Sequence, residues 1–461
     1  MRIATTKPLF AWDCLSDPTD LQVIKQFFEL LPDHELIYSL QRFRGRGRKD
    51  HPVHVQWRTM LLGPLLRHET TEATLEELHR NPSLWPIVGI QREGDIPTKF
   101  SMSRFRERLG TQPHLKHLQD IFNKMVQRLA SVVTDLGVNC AGDATALRAR
   151  RGHDANPDGL PQPDGGHKEY TDDEGNVTKI VEWFGCKAHL LVDVKHEVIV
   201  AYLITKASTA DNTVIPRLMK QGMNNLPAPA PDASKDQPPH RIKTLAFDKA
   251  GDDVKVHEFL DAHGIKPVIK ARSCWKTEQE RMLPGHDGTS NIVYDEDGAI
   301  YCYDKTSDPP VRRRMAFIGH EAKRRTLKYR CPAMHGGWKC PSHDRCNKGL
   351  KYGKTVRVSC DIDLRRFTPI PRQTKEFERL YKGRTSVERA NGRLKMYWGA
   401  DDGNLTGPAR FHAFFGAVMV VHAGMATMLA AAPRVEGTLG RMRLSYVARQ
   451  LRQKIKEQNA A

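Results

Sequence analysis

The 461-residue chain carries 72 Lys and Arg against 54 Asp and Glu, a formal net charge of +18. Its length is too great for one small core and sets an expectation of roughly two to four domains, while 39% hydrophobic and 27% charged residues exclude a disordered chain. A basic surplus of this size points to a polyanionic partner, either nucleic acid or an anionic membrane surface.

In chain order, Met1-Arg2-Ile3-Ala4-Thr5-Thr6-Lys7 lacks the apolar segment of a secretory signal. After Asp17-Pro18, residues Leu21 to Leu31 have the apolar spacing of a helix. Gln41 to Arg48 is basic, and Val55 to Leu66 and Thr74 to His79 are amphipathic. Ser101-Met102-Ser103-Arg104-Phe105-Arg106-Glu107-Arg108 opens with hydroxyl residues that can cap a helix and continues with bases. A solvated helix face accounts for any one of these Arg clusters. Their concentration between Arg42 and Arg108 suits phosphate contacts and marks residues 1–135 as a helical, DNA-binding N-terminal domain.

From Val138 the texture changes. Val138 to Ala144 reads as a short strand ending in an acid, Asp143. A polar loop follows from Arg151 to about Asn176. Two strand-like runs, Gly185 to Asp193 and Glu197 to Thr205, flank His196 and predict a hairpin. Asp211-Asn212 caps a helix reaching about Gly222, and a Pro-rich linker covers Leu226 to His240. Ile242 to Asp248 is again a strand ending in an acid, Val254 to His263 a helix and Lys266 to Ala271 a strand. Three strands, helix, strand, helix, strand indicate an α/β core over 136–272.

Residues 273–372 are irregular and hold most of the nine Cys, an odd number that fits a reducing compartment better than a disulfide framework. This region reads as an inserted subdomain. The core resumes over 373–432 with a helix from Thr374 to Trp398 and an apolar helix from about Arg410. Phe411 to Ala432 has no charged residue and is nearly long enough to span a bilayer. Its two His, its two Gly and the lack of a second span favour a buried core helix and no membrane partner. Residues 433–461 form a basic tail, expected to be helical.

Asp143 and Asp248 stand out because both end predicted strands that one sheet can bring together. Phosphodiester cleavage calls for two Mg²⁺ ions about 4 Å apart, held by carboxylates on rigid elements. A third acid is available in Tyr381-Lys382-Gly383-Arg384-Thr385-Ser386-Val387-Glu388-Arg389-Ala390-Asn391-Gly392-Arg393-Leu394-Lys395. At about 100° per residue, Tyr381, Arg384, Glu388 and Lys395 fall within roughly 60° of one helix face. There the carboxylate can hold metal while Arg and Lys hold phosphate; an exposed helix with spaced ion pairs is the plainer alternative. Asp193, also in strand context, reads as a structural acid.

Tyr, two residues, Arg, three residues, Glu, six residues, Lys resembles the signature of a large group of bacterial insertion-sequence transposases with a DDE ribonuclease-H-like core. All four positions match without a gap. Ala141-Gly142-Asp143-Ala144-Thr145 resembles that family's first-Asp strand, and Gly185 to Asp193 its second strand. Thr205-Lys206-Ala207-Ser208-Thr209-Ala210-Asp211 resembles the approach to its first core helix, and Phe247-Asp248-Lys249-Ala250-Gly251 its second-Asp motif. Pro97 to Leu109, with Ser-x-Ser-Arg-Phe-Arg, is similar to the helical domain that precedes the core. The resemblance covers residues 15 to 430.

It implies an α/β fold with a ribonuclease-H-like mixed sheet, flanking helices, a helical N-terminal domain and an insertion between Asp248 and Glu388. About 140 residues separate those two acids, far beyond an ordinary connection. It also implies catalysis and metal binding by Asp143, Asp248 and Glu388, with Tyr381, Arg384 and Lys395 supporting the DNA phosphate. The cofactor would be two Mg²⁺, with Mn²⁺ as a substitute. The reaction would be cleavage at terminal inverted repeats and strand transfer into double-stranded target DNA, by a homodimer in the synaptic complex, in the prokaryotic cytoplasm with the nucleoid. Where the family usually has a Gly and then an aromatic after the second Asp, this chain has Ala250 and Gly251, followed by Asp252 and Asp253. That departure supports the alternative of a DNA-binding descendant without turnover. Within the insertion, Cys331, His335, Cys340, His343 and Cys346, with Cys302 and Cys360 outside, offer ligands for a structural Zn²⁺, buried free thiols being the alternative.

Overall fold

A computed structural model describes residues 19–45, 51–152, 156–171, 177–228, 238–275, 279–285, 291–401, 405–431, 439–450 and 452. Its N-terminal part is helical: α1 (Thr19–Leu30), α2 (His34–Arg44), α3 (Val53–Leu66), α4 (Thr71–Arg80), α5 (Trp85–Val88), α6 (Lys99–Leu109) and α7 (His114–Val132). The hydroxyls of Thr70 and Thr98 accept the N–H groups of Ala73 and Ser101, capping α4 and α6. Helix α7 is an element that the segment reading did not single out. It buries Leu118, Ile121, Phe122, Met125, Val126 and Leu129 at helical spacing. Arg46 to Arg48, the end of the basic Gln41–Arg48 segment, lie outside the described residues.

The sheet begins with β1 (Asn139–Arg148), β2 (Asp164–Thr171), β3 (Val177–Asp193) and β4 (Ile199–Lys206). Helix α8 (Asp211–Asn225), β5 (Thr244–Phe247), α9 (Val254–Ala262) and β6 (Lys266–Ile269) follow. The order is β2-β3-β1-β5-β6, with β4 also on β3. Strands β2, β3 and β4 run antiparallel along the β1 side, while β1, β5 and β6 are mutually parallel. The expected hairpin is present. Asp193 holds its turn by accepting the N–H groups of Gly137 and His196. The expected loop from Arg151 to Asn176 is partly wrong. Its Gly-rich stretch forms β2, because the exposed first half of β3 supplies the ladder hydrogen bonds that composition alone does not announce. Residues 172–176 of that loop, and 229–237 of the Pro-rich linker, lie outside the described residues.

The region between β6 and the signature segment builds two small sheets. One comprises β7 (Arg281–Met282), β8 (Ile292–Tyr294), β9 (Ile300–Asp304) and β10 (Val311–Arg314). The other comprises β11 (Ala316–Glu321), β12 (Thr326–Arg330) and, beyond the short helices α10 (Pro332–Gly336) and α11 (His343–Asn347), β13 (Thr355–Ser359). This region has its own apolar core, including Ile292, Ile300, Leu327, Val356, Val358 and Phe367. It returns to the main body through a buried ion cluster. Asp252 accepts from Arg365 Nη2 at 2.7 Å, from His257 Nε2 at 3.1 Å and from the Arg272 N–H at 2.7 Å, with Arg372 3.5 Å away. Burial works against the Asp252 charge, but these donors hold its carboxyl well below the usual carboxylate range. Arg325 adds a bidentate pair to Asp261 of α9, at 3.1 and 2.9 Å.

The chain then runs through α12 (Lys375–Lys382), α13 (Thr385–Trp398) and α14 (Pro408–Ala430). Helix α14 is long and apolar enough to cross a membrane, yet 89% of its apolar window is buried within the protein. It packs on α7, α6 and α3 and joins the N-terminal helices and the sheet in one apolar core. Its His422 accepts the N–H of Ile199 through Nε2 at 2.8 Å. Burial pushes this imidazole down to about 3, so the ring is neutral and serves as a core acceptor. Residues 444–450 of the tail are helical; 432–438, 451 and 453–461 lie outside the described residues.

Candidate active site

The parallel pairing of β1 with β5 sets Asn139 beside Thr244, Cys140 beside Leu245 and Ala141 beside Ala246. Carried two residues further, the same register sets Asp143 beside Asp248 on the same sheet face. Asp143 does not end its strand as expected. Strand β1 continues to Arg148 because β3 keeps pairing with it as far as Gly185; only the β5 side ends here, at Phe247. Gly142 allows the approach, since a Cβ there would lie 2.6 Å from the Phe247 ring. Asp248 turns out of β5, and its carboxylate accepts the Ala250 N–H at 2.9 Å. The unusual residues behind it have structural work: Asp252 centres the ion cluster, and Asp253 caps α9 by accepting the Lys255 N–H.

Glu388 comes from α13. The single helix expected over Thr374 to Trp398 is two, joined by a tight turn at Gly383-Arg384. A Cβ on Gly383 would lie 2.6 Å from Val194, so glycine lets the bend pack on the β3–β4 hairpin. The turn keeps Arg384 near the face of Glu388. Arg384 Nη2 donates to Glu388 Oε1 at 2.7 Å, and Nη1 reaches Asp143 Oδ2 at 3.5 Å. One guanidinium thus bridges the strand acid and the helix acid. Tyr381 stacks on Phe377 and lies under the ammonium of Lys270, 4.9 Å from the ring centroid. Lys395 donates to the Ala146 carbonyl of β1 at 2.7 Å and pairs with Asp401 at 3.3 Å, so in this state it docks α13 on the sheet. Arg389 and Arg393 dock the same helix on the hairpin, with 2.6 and 2.7 Å bonds to Glu197.

Burial pushes the Asp143 carboxyl up to about 6; the Ala144 N–H and Arg384 oppose this, and Asp248 adds to it. Burial likewise raises the Tyr381 phenol, against Arg384. As the side chains stand, no three His, Cys, Asp or Glu among the described residues are spaced to hold a metal ion. The acids are gathered around Arg384 rather than closed on one another. Glu388, half exposed, has the freedom to move. The donor set suits a hard divalent cation: carboxylate oxygens, two of them on adjacent strands, at a point where a positive guanidinium already sits. Lys168 and Lys270 are nearby cations that sequence reasoning missed. Lys168 lay in the supposed loop, and Lys270 at the end of a strand with no motif to mark it.

Asp193 is fully enclosed, and both its oxygens are committed, one to His196 in the hairpin turn and one to Gly137 ahead of β1. Asp193→Asn is therefore expected to cost about 1–2 kcal/mol of stability, by turning one acceptor of a backbone N–H into a donor. Turnover of the folded fraction should be unchanged, as read by denaturant melts alongside activity per folded molecule. Lost turnover in a well-folded variant would make Asp193 part of the site.

Residues 140–423, well over half of the chain, match the family described as the transposase DDE domain. Residues 13–108 match a second family, described as a transposase domain. No curated protein matches the chain. Among solved structures, the piggyBac transposase synaptic complex with hairpin DNA aligns at 10% identity over 96% of this chain and 83% of that one, with a TM-score of 0.39, a likeness too loose to carry any argument. With the family match spanning both strand acids and the signature helix, the chain belongs to the DDE transposase family, and its function is that of a DNA transposase.

Proposed function

We propose that the protein cleaves DNA at the ends of an insertion sequence and transfers the freed strand into target DNA, with Asp143, Asp248 and Glu388 as the catalytic acids. The observation that supports this reading is the β1–β5 pairing, which stops two residues short of Asp143 and Asp248 in the same register, together with the Arg384 guanidinium that reaches both Asp143 and Glu388. The sheet order, three antiparallel strands continued by two parallel ones, supports a ribonuclease-H-like core. Residues 1–135 and the insertion at 273–372 supply much of the DNA grip, and a dimer brings two ends together.

The three acids would hold two divalent ions, Mg²⁺ or Mn²⁺. When bound, such a pair activates the attacking hydroxyl and neutralises charge on the leaving oxygen. The chain's own part is positioning. Arg384, which bridges Asp143 and Glu388, would be available to the scissile phosphate, and Lys270 and Lys168 bring positive charge to the same edge. Water attacks the phosphodiester at the element's end first. The freed 3′-hydroxyl then attacks a phosphodiester of target DNA, or of the opposite strand to give a hairpin, and the 3′-oxygen of the attacked strand leaves as a new 3′-hydroxyl. Lys395 keeps α13 seated on β1, so Glu388 stays over the strand acids.

Labelled end DNA incubated with the protein and Mg²⁺ tests this reading: nicked and joined products are expected. Binding without cutting would favour the descendant without turnover. Arg384→Ala should slow cleavage about tenfold or more and weaken end binding, and Lys395→Ala should do so through loss of α13 docking. Normal binding and cutting in Arg384→Ala would remove the phosphate grip from the account, and in Lys395→Ala the docking role.

Asp143 gives a pH signature. Its carboxyl, at about 6 in the fold, lies above the unfolded value of about 3.9. The neutral acid's stabilising contribution is therefore lost as pH rises from about 4 through about 6. Mg²⁺ relieves that penalty, so its stabilisation in thermal melts should be larger at pH 7.5 than at pH 5.5. In Asp143→Asn this difference should vanish. An equal Mg²⁺ effect at both pH values in the parent protein would contradict the assignment.

A further inference from the structure

The inserted region encloses a second group of metal-ligating side chains, remote in chemistry from the three acids. Cys302 on β9, Cys331 at the end of β12, Cys340, and Cys346 on α11 all line one cavity of about 30 Å³, with Arg313 and Lys354 in its wall. None of these four thiols is in a disulfide. Cys331, Cys340 and Cys346 lie close together in the chain, and the fold brings Cys302 to them from β9. Of the ligands the sequence had offered, His343 turns instead to Asp344, at 3.1 Å, and Cys360 is buried in the insertion's apolar core. His335 is not among the residues lining the cavity, whereas Cys302, placed outside the set by sequence spacing, is.

We propose that Cys302, Cys331, Cys340 and Cys346 form a structural zinc site with four thiolate ligands. Four Cys lining one small cavity supply the number and type of ligand that Zn²⁺ takes in closed structural sites. A divalent ion on four thiolates carries a net charge of 2−; Arg313 and Lys354 line the same cavity, as does Asp304, 3.9 Å from Arg313. Sulfur acceptors are also provided with donors. Asn347 Nδ2 points at Cys331 Sγ at 3.5 Å, and the Ser342 N–H at the Cys340 sulfur, the kind of outer-shell bond that tunes metal thiolates. As they stand the sulfurs are not at coordination distance; rotation about χ1 of side chains already facing one cavity would draw them in. The insertion's separate core is small, and a metal tie between β9, β12 and α11 supplies the cross-link that small cores need.

The test uses the full-length chain, purified under reducing conditions without chelator. Elemental analysis should give one zinc per chain. A mercurial thiol reagent should release it as four thiols react. Exchange with Co²⁺ should give the visible d–d bands of a tetrahedral centre and a sulfur-to-cobalt charge-transfer band, a readout that needs no variant. Cys302→Ser and Cys340→Ser should bring zinc to background, while Cys360→Ser and His343→Ala should retain one equivalent. The proposal is overturned by a folded parent chain that takes up neither Zn²⁺ nor Co²⁺, by a cobalt spectrum without sulfur ligation, or by zinc that survives Cys302→Ser and is lost in His343→Ala. None of these readouts depends on DNA cleavage.

Discussion

Asp143→Asn, Asp248→Asn and Glu388→Gln are each expected to lower both nicking and strand transfer at least about 10³-fold, roughly 4 kcal/mol of transition-state stabilisation. End-DNA affinity at fixed salt should change little. The acids position the cations that carry the chemistry, whereas affinity comes mainly from Lys and Arg on phosphate. Removing one negative charge lessens repulsion of the DNA backbone, so binding should hold steady or tighten slightly. Gel assays of labelled end DNA with Mg²⁺, beside a binding titration, separate the two quantities. Full turnover in any one variant would take that residue out of the site.

The second large effect is on stability. Asp252→Asn should cost about 3–5 kcal/mol, because it leaves the guanidinium groups of Arg365 and Arg372 enclosed without their counter-charge. Urea unfolding followed by circular dichroism should register this as a lower midpoint. Limited proteolysis should report looser attachment of residues 273–372. Since the Asp252 carboxyl is held far below the ordinary value, its contribution is present above about pH 4 and is lost only in stronger acid. An unchanged midpoint at pH 7 would mean that the insertion is held by other contacts.

The chemistry of this protein was legible where one local segment carried it. Tyr381, Arg384, Glu388 and Lys395 stood out because their spacing resembles a family signature, and the structure keeps Arg384 on Glu388 even though the helix breaks at Gly383. Asp143 and Asp248 were legible as strand acids, but their side-by-side register depends on pairing across about 100 residues, which no local pattern encodes. Strand β2 was illegible for a related reason: its ladder partner is distant in the chain, and Gly165 and Gly166 look like a turn. Helix α7 was legible in principle, since Leu118, Ile121, Phe122 and Met125 repeat at helical spacing. Cys302 could not be grouped with Cys331, Cys340 and Cys346 by spacing, because β-sheet pairing sets its place.

Helix α14 gives the converse lesson. Its composition alone would suit a membrane, and the polar atoms decide against it. His422 sits in the apolar run because the Ile199 N–H requires an acceptor there, within the core that the N-terminal helices and the sheet share.

The claim that Asp143, Asp248 and Glu388 jointly hold divalent metal is tested most directly by Fe²⁺-directed cleavage of the polypeptide. With Fe²⁺ in place of Mg²⁺, ascorbate and peroxide generate radicals at the bound ion, which cut the backbone nearby. The account predicts three cuts, close to residues 143, 248 and 388, all suppressed by excess Mg²⁺ and all lost together in Asp143→Asn. Cuts at other positions, or a cut at one of the three that persists when Asp143 is replaced, would contradict a shared site.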